Sequence, residues 1–398
     1  MILLSAAAGL NVDIASDTVA PRAVTLDEAL AAADTVPEVV IARATERVAS
    51  AEIGSARAPG EPKLLIATRS VTAREVIAVS IPFRWGGQKS SAVSEAEAHR
   101  DAAASSREVA IATARRACRV AWFTLAASED RLRAATALVS RSERNLSAIA
   151  DLFELQRASR LDVARATSEA ATARATRVDA EQAVIAASAE LRALLGFDDV
   201  RLTAGETRPT PQPEGPEASW LARSRVGSPD LVLAEAELRA ADARVSRSAR
   251  EKRPSTSLEA GADWNDPTQS GTDALLGLGI TFPTRGRAVL DAARADRDRA
   301  VALLNLARRR VEADLESAFS AAGAARARFE VIDQTARPAA AEAAELTRIA
   351  YGEGQLDLFR LLDAERALTD AERDHADAYL DWGVAFADLE RLAPQGQP

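Results

Sequence analysis

Between Lys89 and Leu152 the chain contains neither proline nor glycine. At 1.5 Å per residue a continuous helix over this run is on the order of 95 Å long. A matching run extends from Arg287 to Ile349, with Pro338 inside it. Proline removes a helix hydrogen bond and clashes with the preceding turn, so Pro338 predicts a kink or a local change of winding. Each long run turns and comes back as a shorter helix, Arg160–Leu195 closed by Gly196, and Leu356–Leu392. Two such hairpins do not fit a globular plan.

What these helices can pack is set by composition. Hydrophobic residues make up 47% of the 398, but alanine supplies much of that and aromatics only 4%. Alanine-rich helices suit thin layers in close contact rather than a thick core. Arginine interleaves with Asp and Glu at helical spacing, the pattern of a solvated face. The net charge of −9 leaves no basic stripe for nucleic acid. Cys118 is the only cysteine and lies within a helical run, so it reads as a small buried hydrophobe. With two histidines, one methionine and no Gly-rich phosphate loop, the sequence offers no metal site, cofactor site or catalytic constellation. The start, "MILLSAAAGLNVDIAS", has a short apolar run without a basic leader, and residues 1–22 read as a truncated export signal or a disordered start. No run reaches the ~18 apolar residues of a membrane helix, so any membrane span must be a β-barrel.

The chain also repeats itself. A helix hairpin broken at Pro37 recurs at Pro229, a strand-to-helix proline at Pro82 recurs at Pro283, and Asp162 after the first long helix matches Asp357 after the second. The first repeat spans 23–204, with a β-hairpin at about 60–84 and a long helical hairpin at about 87–196. A Pro-rich linker follows at 205–218. The second repeat spans 219–392, with a β-hairpin at about 254–284 and a helical hairpin at about 286–392, before a disordered tail at 393–398. In the second hairpin Thr256 to Trp264 and Ala274 to Phe282 alternate apolar with small or polar residues over a length that suits a barrel strand. Ile77, Val79, Ile81 and Phe83 do the same in the first, while the stretch near Lys63–Val71 alternates poorly. A half-exposed soluble sheet gives the same alternation. On the barrel reading Ile280 points to lipid and Thr281 to the lumen.

The strand–Pro–Gly–helix junctions "SIPFRWGG" and "ITFPTRG", the turns "LFELQRASRLDV" and "AYGEGQLDLFRLLDAERAL", and the closing "ELRALLG" together resemble the TolC-like outer membrane factor family over about Val24 to Leu392. The resemblance implies a mainly α chain that gives four strands to a twelve-stranded barrel in the outer membrane of a Gram-negative bacterium. Its duplicated helical hairpins would build an α-barrel through the periplasm, in a homotrimer. It implies an exit duct of a tripartite efflux pump or type I secretion system. The partners would be outer-membrane lipid, a periplasmic adaptor protein and an inner-membrane pump of the RND or ABC type. Pro82, Gly86, Gly87, Pro283 and Gly286 would end strand pairing and redirect the chain into the tunnel wall. Phe153, Leu155, Gln156, Arg157, Ser159, Asp162, Tyr351, Gly354 and Asp357 would form the adaptor-docking tips, Arg360 and Asp363 the periplasmic constriction. Many members of the family carry glycine where this chain has Gln156. Asp162 and Asp357 also fit as caps of the returning helices, and Arg360 and Asp363 as an ordinary surface pair. The alternative to a duct is a soluble or periplasmic coiled-coil scaffold or adaptor, which accounts for the helices but not for a strand pair at the same place in both repeats.

Overall fold

The computed structural model describes residues 21–69, 74–83, 86–197, 200–205, 207–211, 215–264 and 272–394. Most of the expected export segment, the loop at 265–271 and residues 395–398 lie outside these. The helices are α1 (Leu26–Ala32), α2 (Pro37–Arg57), α3 (Gln88–Glu154), α4 (Arg160–Leu195), α5 (Glu217–Gly227), α6 (Pro229–Glu251), α7 (Gly286–Val331), α8 (Arg337–Gly352) and α9 (Leu358–Leu392). The strands are β1 (Arg22–Val24), β2 (Lys63–Arg69), β3 (Arg74–Phe83), β4 (Leu202–Ala204), β5 (Ser255–Trp264) and β6 (Asp273–Thr281).

With 67 residues, α3 is about 100 Å long. Ion pairs tie its first half to α2 (Arg107–Glu46, 2.7 Å) and α6 (Arg247–Glu95, 3.0 Å). Its second half is tied to α4 (Arg174–Glu143, 2.8 Å) and α9 (Arg131–Asp377, 2.6 Å). The interleaved charges are thus not only solvated faces, because many of them bridge neighbouring helices. Thin alanine seams such as Ala114, Ala121, Ala126 and Ala135, all buried, bring the helices close enough for long arginines to span the gap. Pro37 and Pro229 are each the first residue of a helix, where the missing N–H is no loss. Pro338 is the second residue of α8, and a π-turn at Ile332–Ala336 joins α7 to it. The expected change of winding is therefore there, just ahead of the proline.

The largest core gathers where α1, α3, α4, β4 and α9 meet. Trp122 is fully buried, donates its indole N–H to the Val24 carbonyl (2.8 Å), and meets Phe123 edge-on at 5.3 Å. Phe123 in turn lies 5.1 Å from Tyr379 of α9. A Cβ on Gly383 would fall 2.4 Å from the Phe123 ring, so only glycine lets α9 approach α3 here. Cys118 is buried in the same core, and burial pushes its thiol up to about 11, consistent with an inert apolar residue. The short parallel pair β1–β4, which no alternation announces, pins the start of the chain beside the end of the first helical hairpin. The linker after it is also held down: Arg208 pairs with Asp130 (2.9 Å), and the Tyr379 hydroxyl donates to the Pro209 carbonyl (2.9 Å).

The four-stranded sheet runs β2-β3-β5-β6, all antiparallel. Its register places Val79 between Leu64 and Ala260, and Leu258 between Ile81 and Leu278. One face therefore carries Leu64, Ile66, Ile77, Val79, Ile81, Leu258, Leu276, Leu278 and Ile280, all exposed. Thr281 pairs with Ser255 on the opposite face, which also holds Glu259, Gly277 and Gly279. The weak alternation of β2 comes from Leu65, an exposed apolar residue on that second face. Strands β2 and β6 form the two edges.

The junction residues need two corrections. Pro82 does not end its strand: β3 pairs with β5 through Phe83, opposite Thr256. It is tolerated because β2 has already stopped at Lys63, opposite Ser80, so no partner strand there needs the missing N–H. Pro283 does lie beyond the end of β6. Gly86 and Gly87 turn the chain with φ of 66° and 83°. Gly286, by contrast, is helical, and a Cβ there would lie 3.0 Å from Lys252 Cγ. It is glycine for close approach, not for a turn.

Candidate functional site: the helix tips

The returns between α3 and α4 and between α8 and α9 are built on one hydrogen-bond scheme. In the first, Arg157 N–H donates to the Leu152 carbonyl (2.8 Å) and Gln156 N–H to that of Phe153 (2.9 Å). In the second, Gln355 N–H donates to Ala350 (2.8 Å) and Gly354 N–H to Tyr351 (3.0 Å). This is the Schellman closure, which puts one residue in the left-handed region. That residue is Gly354 (φ 74°) in the second tip and Gln156 (φ 58°) in the first. The chain thus holds the glycine-type backbone at Gln156 with a side chain that disfavours it.

The shared scheme also corrects the alignment of the repeats. The residue equivalent to Asp357 is Ser159, not Asp162. Both are N-caps, Asp357 accepting from Arg360 N–H (3.0 Å) and Ser159 Oγ from Asp162 N–H (3.1 Å). Asp162 stands two residues inside α4, at the position Arg360 fills in α9. Its Oδ2 accepts from the Ser159 hydroxyl (2.6 Å) and backbone N–H (3.0 Å). Those two bonds, the hydroxyl foremost, hold the Asp162 carboxyl below its usual range. Serine–x–x–aspartate is a reciprocal cap, and the spacing was legible in "SRLD". Matching Asp to Asp concealed it.

The tips lean on each other through Ile149, Ala166, Leu358, Leu361 and Leu362, with Val163 and Tyr351 beside them. Burial raises the Tyr351 phenol, and the charge of Asp162 adds to the shift. Outside this small core, Phe153, Leu155, Leu161 and Phe359 are exposed, Leu155 and Phe359 by 67% and 59%. Gln156, Arg157, Gly354 and Asp357 are exposed as well. Leu346, Ile349 and Phe359 extend the apolar surface. Sequence reasoning passed over these three because on an amphipathic helix an apolar residue reads as core.

Arg360 and Asp363 are both exposed. They do not form the expected surface pair, since no ion pair joins them among the described residues. Two residues beyond Asp363, Glu365 is buried, accepts from Asn145 Nδ2 (2.7 Å), and is raised by burial despite that bond. This link between α3 and α9 was not foreseen, because a lone Glu at helical spacing carries no signal of burial.

The sequence profile described as outer membrane efflux protein matches residues 27–197 and 220–394. The chain is 24% identical over 306 residues to the cobalt-zinc-cadmium resistance protein CzcC of Cupriavidus metallidurans, covering 76% of this chain and 73% of that one. It is 29% identical over 310 residues to protein CyaE of Bordetella pertussis, covering 71% and 65%. Among solved structures, the fold matches a membrane protein from Pseudomonas aeruginosa with a TM-score of 0.79 at 19% identity, over 92% and 93% of the two chains. It matches the Campylobacter jejuni CmeC outer membrane channel with a TM-score of 0.78 at 13% identity, over 92% and 85%.

Proposed function

The chain belongs to the outer membrane efflux protein family, and on that premise we propose that it is the outer-membrane exit duct of a tripartite efflux pump or type I secretion system. The observation that carries this reading is the sheet. Its apolar face is exposed along all four strands, and both of its edges are open. Open edges cannot stand in lipid, where every backbone group needs a partner. Three copies, β6 of each meeting β2 of the next, give a closed barrel of twelve strands with the apolar face outward. The long helices then hang from it as a tunnel wall in the periplasm, and Pro82, Gly86, Gly87, Pro283 and Gly286 mark the change from barrel to tunnel.

In this reading the tips meet the adaptor. Phe153, Leu155 and Tyr351 offer apolar contacts around the two Schellman turns, while Gln156, Arg157, Ser159, Asp162, Gly354 and Asp357 fix the turn geometry. Arg360 and Asp363, which have no ion-pair partner among the described residues, ring the periplasmic opening. The cargo is selected by the inner-membrane pump, of the RND or ABC type, that the adaptor recruits. Expression with export to the periplasm, followed by outer-membrane fractionation, mass measurement and planar-bilayer recording, tests the reading. A trimer that conducts in discrete steps is the expected result. A stable monomer with full β content, or a soluble protein without conductance, overturns it in favour of a scaffold.

A further inference from the structure

Where α6 begins and α9 ends, α1 and α3 border an open cavity of about 890 Å³. Much of its wall is apolar, with Leu30 of α1, Ile111 of α3 and Val232 of α6 among the lining residues. Its charges are nearly all accounted for. Arg116 pairs with Asp388, Arg119 with Glu390, Arg391 with Asp230 (3.0 Å), and Glu108 with Arg107 (2.6 Å). Asp27 is exposed in the first turn of α1, where the helix end favours an anion. Arg115 is left over. It is half-buried in the cavity wall and has no hydrogen-bond or ion-pair partner among the described residues.

One turn along the same helix face is Arg119. Its guanidinium is already paired with Glu390, and its Nε–H is buried away from the cavity space, so Arg119 does not compete with Arg115 for an anion. A half-buried cation without a partner carries a desolvation cost that an anion would offset. The volume suits a small organic molecule, and the apolar wall favours one with an apolar body.

We propose that this cavity binds an amphipathic monoanion, its carboxylate head held by Arg115 and its apolar chain lying along Leu30, Ile111 and Val232. A guanidinium offers a carboxylate two parallel donors, which an ammonium cannot. A bare inorganic anion would leave the apolar wall uncovered, and a cationic amphiphile would add to the charge of Arg115. The site is built from one chain, so it stands or falls separately from the duct reading.

Titration calorimetry on the protein in amphipol tests the proposal, with decanoate as the probe. Saturable binding is expected at one site per chain. Arg115→Gln should weaken it roughly tenfold to a hundredfold, and Arg115→Lys should lose less. Decylammonium and inorganic phosphate should bind far more weakly than decanoate. Val232→Trp, which fills the cavity from the facing wall, should abolish binding without touching Arg115. No saturable decanoate binding overturns the proposal. So does equal affinity in Arg115→Gln, or decylammonium binding as well as decanoate, since either would mean an unselective apolar crevice.

Discussion

Replacing Gln156 by glycine should tighten the first helix tip, and the reverse change, Gly354→Gln, should loosen the second. At φ 58° Gln156 occupies the left-handed region, which costs a side-chain-bearing residue about 1–2 kcal/mol. Glycine removes that strain but enters the unfolded tip with more freedom, which takes back up to ~1 kcal/mol. Among the described residues the Gln156 side chain makes no hydrogen bond, so no contact is lost. The net gain is about 0.5–1 kcal/mol, a factor of roughly 2–5 in the local opening equilibrium. Global unfolding of a large assembly would not register so local a change. Hydrogen exchange does, at the Arg157 and Ala158 amides that bond to the Leu152 carbonyl (2.8 and 3.2 Å). In Gln156→Gly their exchange should slow by that factor, while peptides from the middle of α3 stay unchanged. In Gly354→Gln the Gln355 amide should exchange faster. Unchanged rates in both variants, or faster exchange in Gln156→Gly, would refute the strain argument.

On the exposed apolar face, Leu276→Lys near mid-strand should cost about 2–4 kcal/mol of membrane-inserted assembly, and Ile280→Lys near the strand end only ~1 kcal/mol or less. Leu275→Lys, on the other face, should be tolerated, and heat-resistant trimer on gels reads out all three. Gly383→Ala should destabilise by about 1–3 kcal/mol through collision with Phe123, seen as a lower helix-melting temperature, and Phe123→Leu in the same chain should restore part of it. Because the Asp162 carboxyl is lowered in the folded tip, its cap contributes fully above the unfolded carboxyl range, ~3.9, and is lost as pH falls through the lower folded value. Exchange protection at Asp162, corrected for intrinsic rate, should therefore persist to about pH 4 and fall below it, while Asp162→Asn should lack that fall. At the opening, Arg360→Asp should raise cation selectivity and block by multivalent cations from the periplasmic side. Unchanged conductance in both Arg360→Asp and Asp363→Ala would remove these residues from the constriction.

Much of the fold was legible because punctuation is local. Pro37, Pro229 and the Gly86–Gly87 pair act through their own dihedrals, and the strand faces follow from a two-residue period. What escaped depends on neighbours far along the chain. Gly383 is glycine because of Phe123, Glu365 is buried because of Asn145, and β1 exists because β4 lies beside it. Pro82 shows the same limit from the other side. Its residue type argues for a strand end, but whether a missing N–H matters depends on where the partner strand stops. At the site, the tips were found by their turn signals, yet their equivalence was misread by three residues, since matching letters carry less information than matching hydrogen bonds.

The central pairing of the sheet has a consequence for the order in which the chain can fold. Strand β3 ends at Phe83 and β5 begins at Ser255, so their contact closes a loop that holds the whole first helical hairpin. For an unstructured chain of that length the closure entropy is about 4–5 kcal/mol, more than one strand pair returns. The hairpin α3–α4 has no such debt, because its contacts are local and helices grow fast. Once α6 has docked on α3 through Arg247 and Glu95, β3 and β5 are held side by side and the loop is already closed. On this reasoning the helical body is the template that brings the two local strand pairs together, and the β3–β5 pairing follows it.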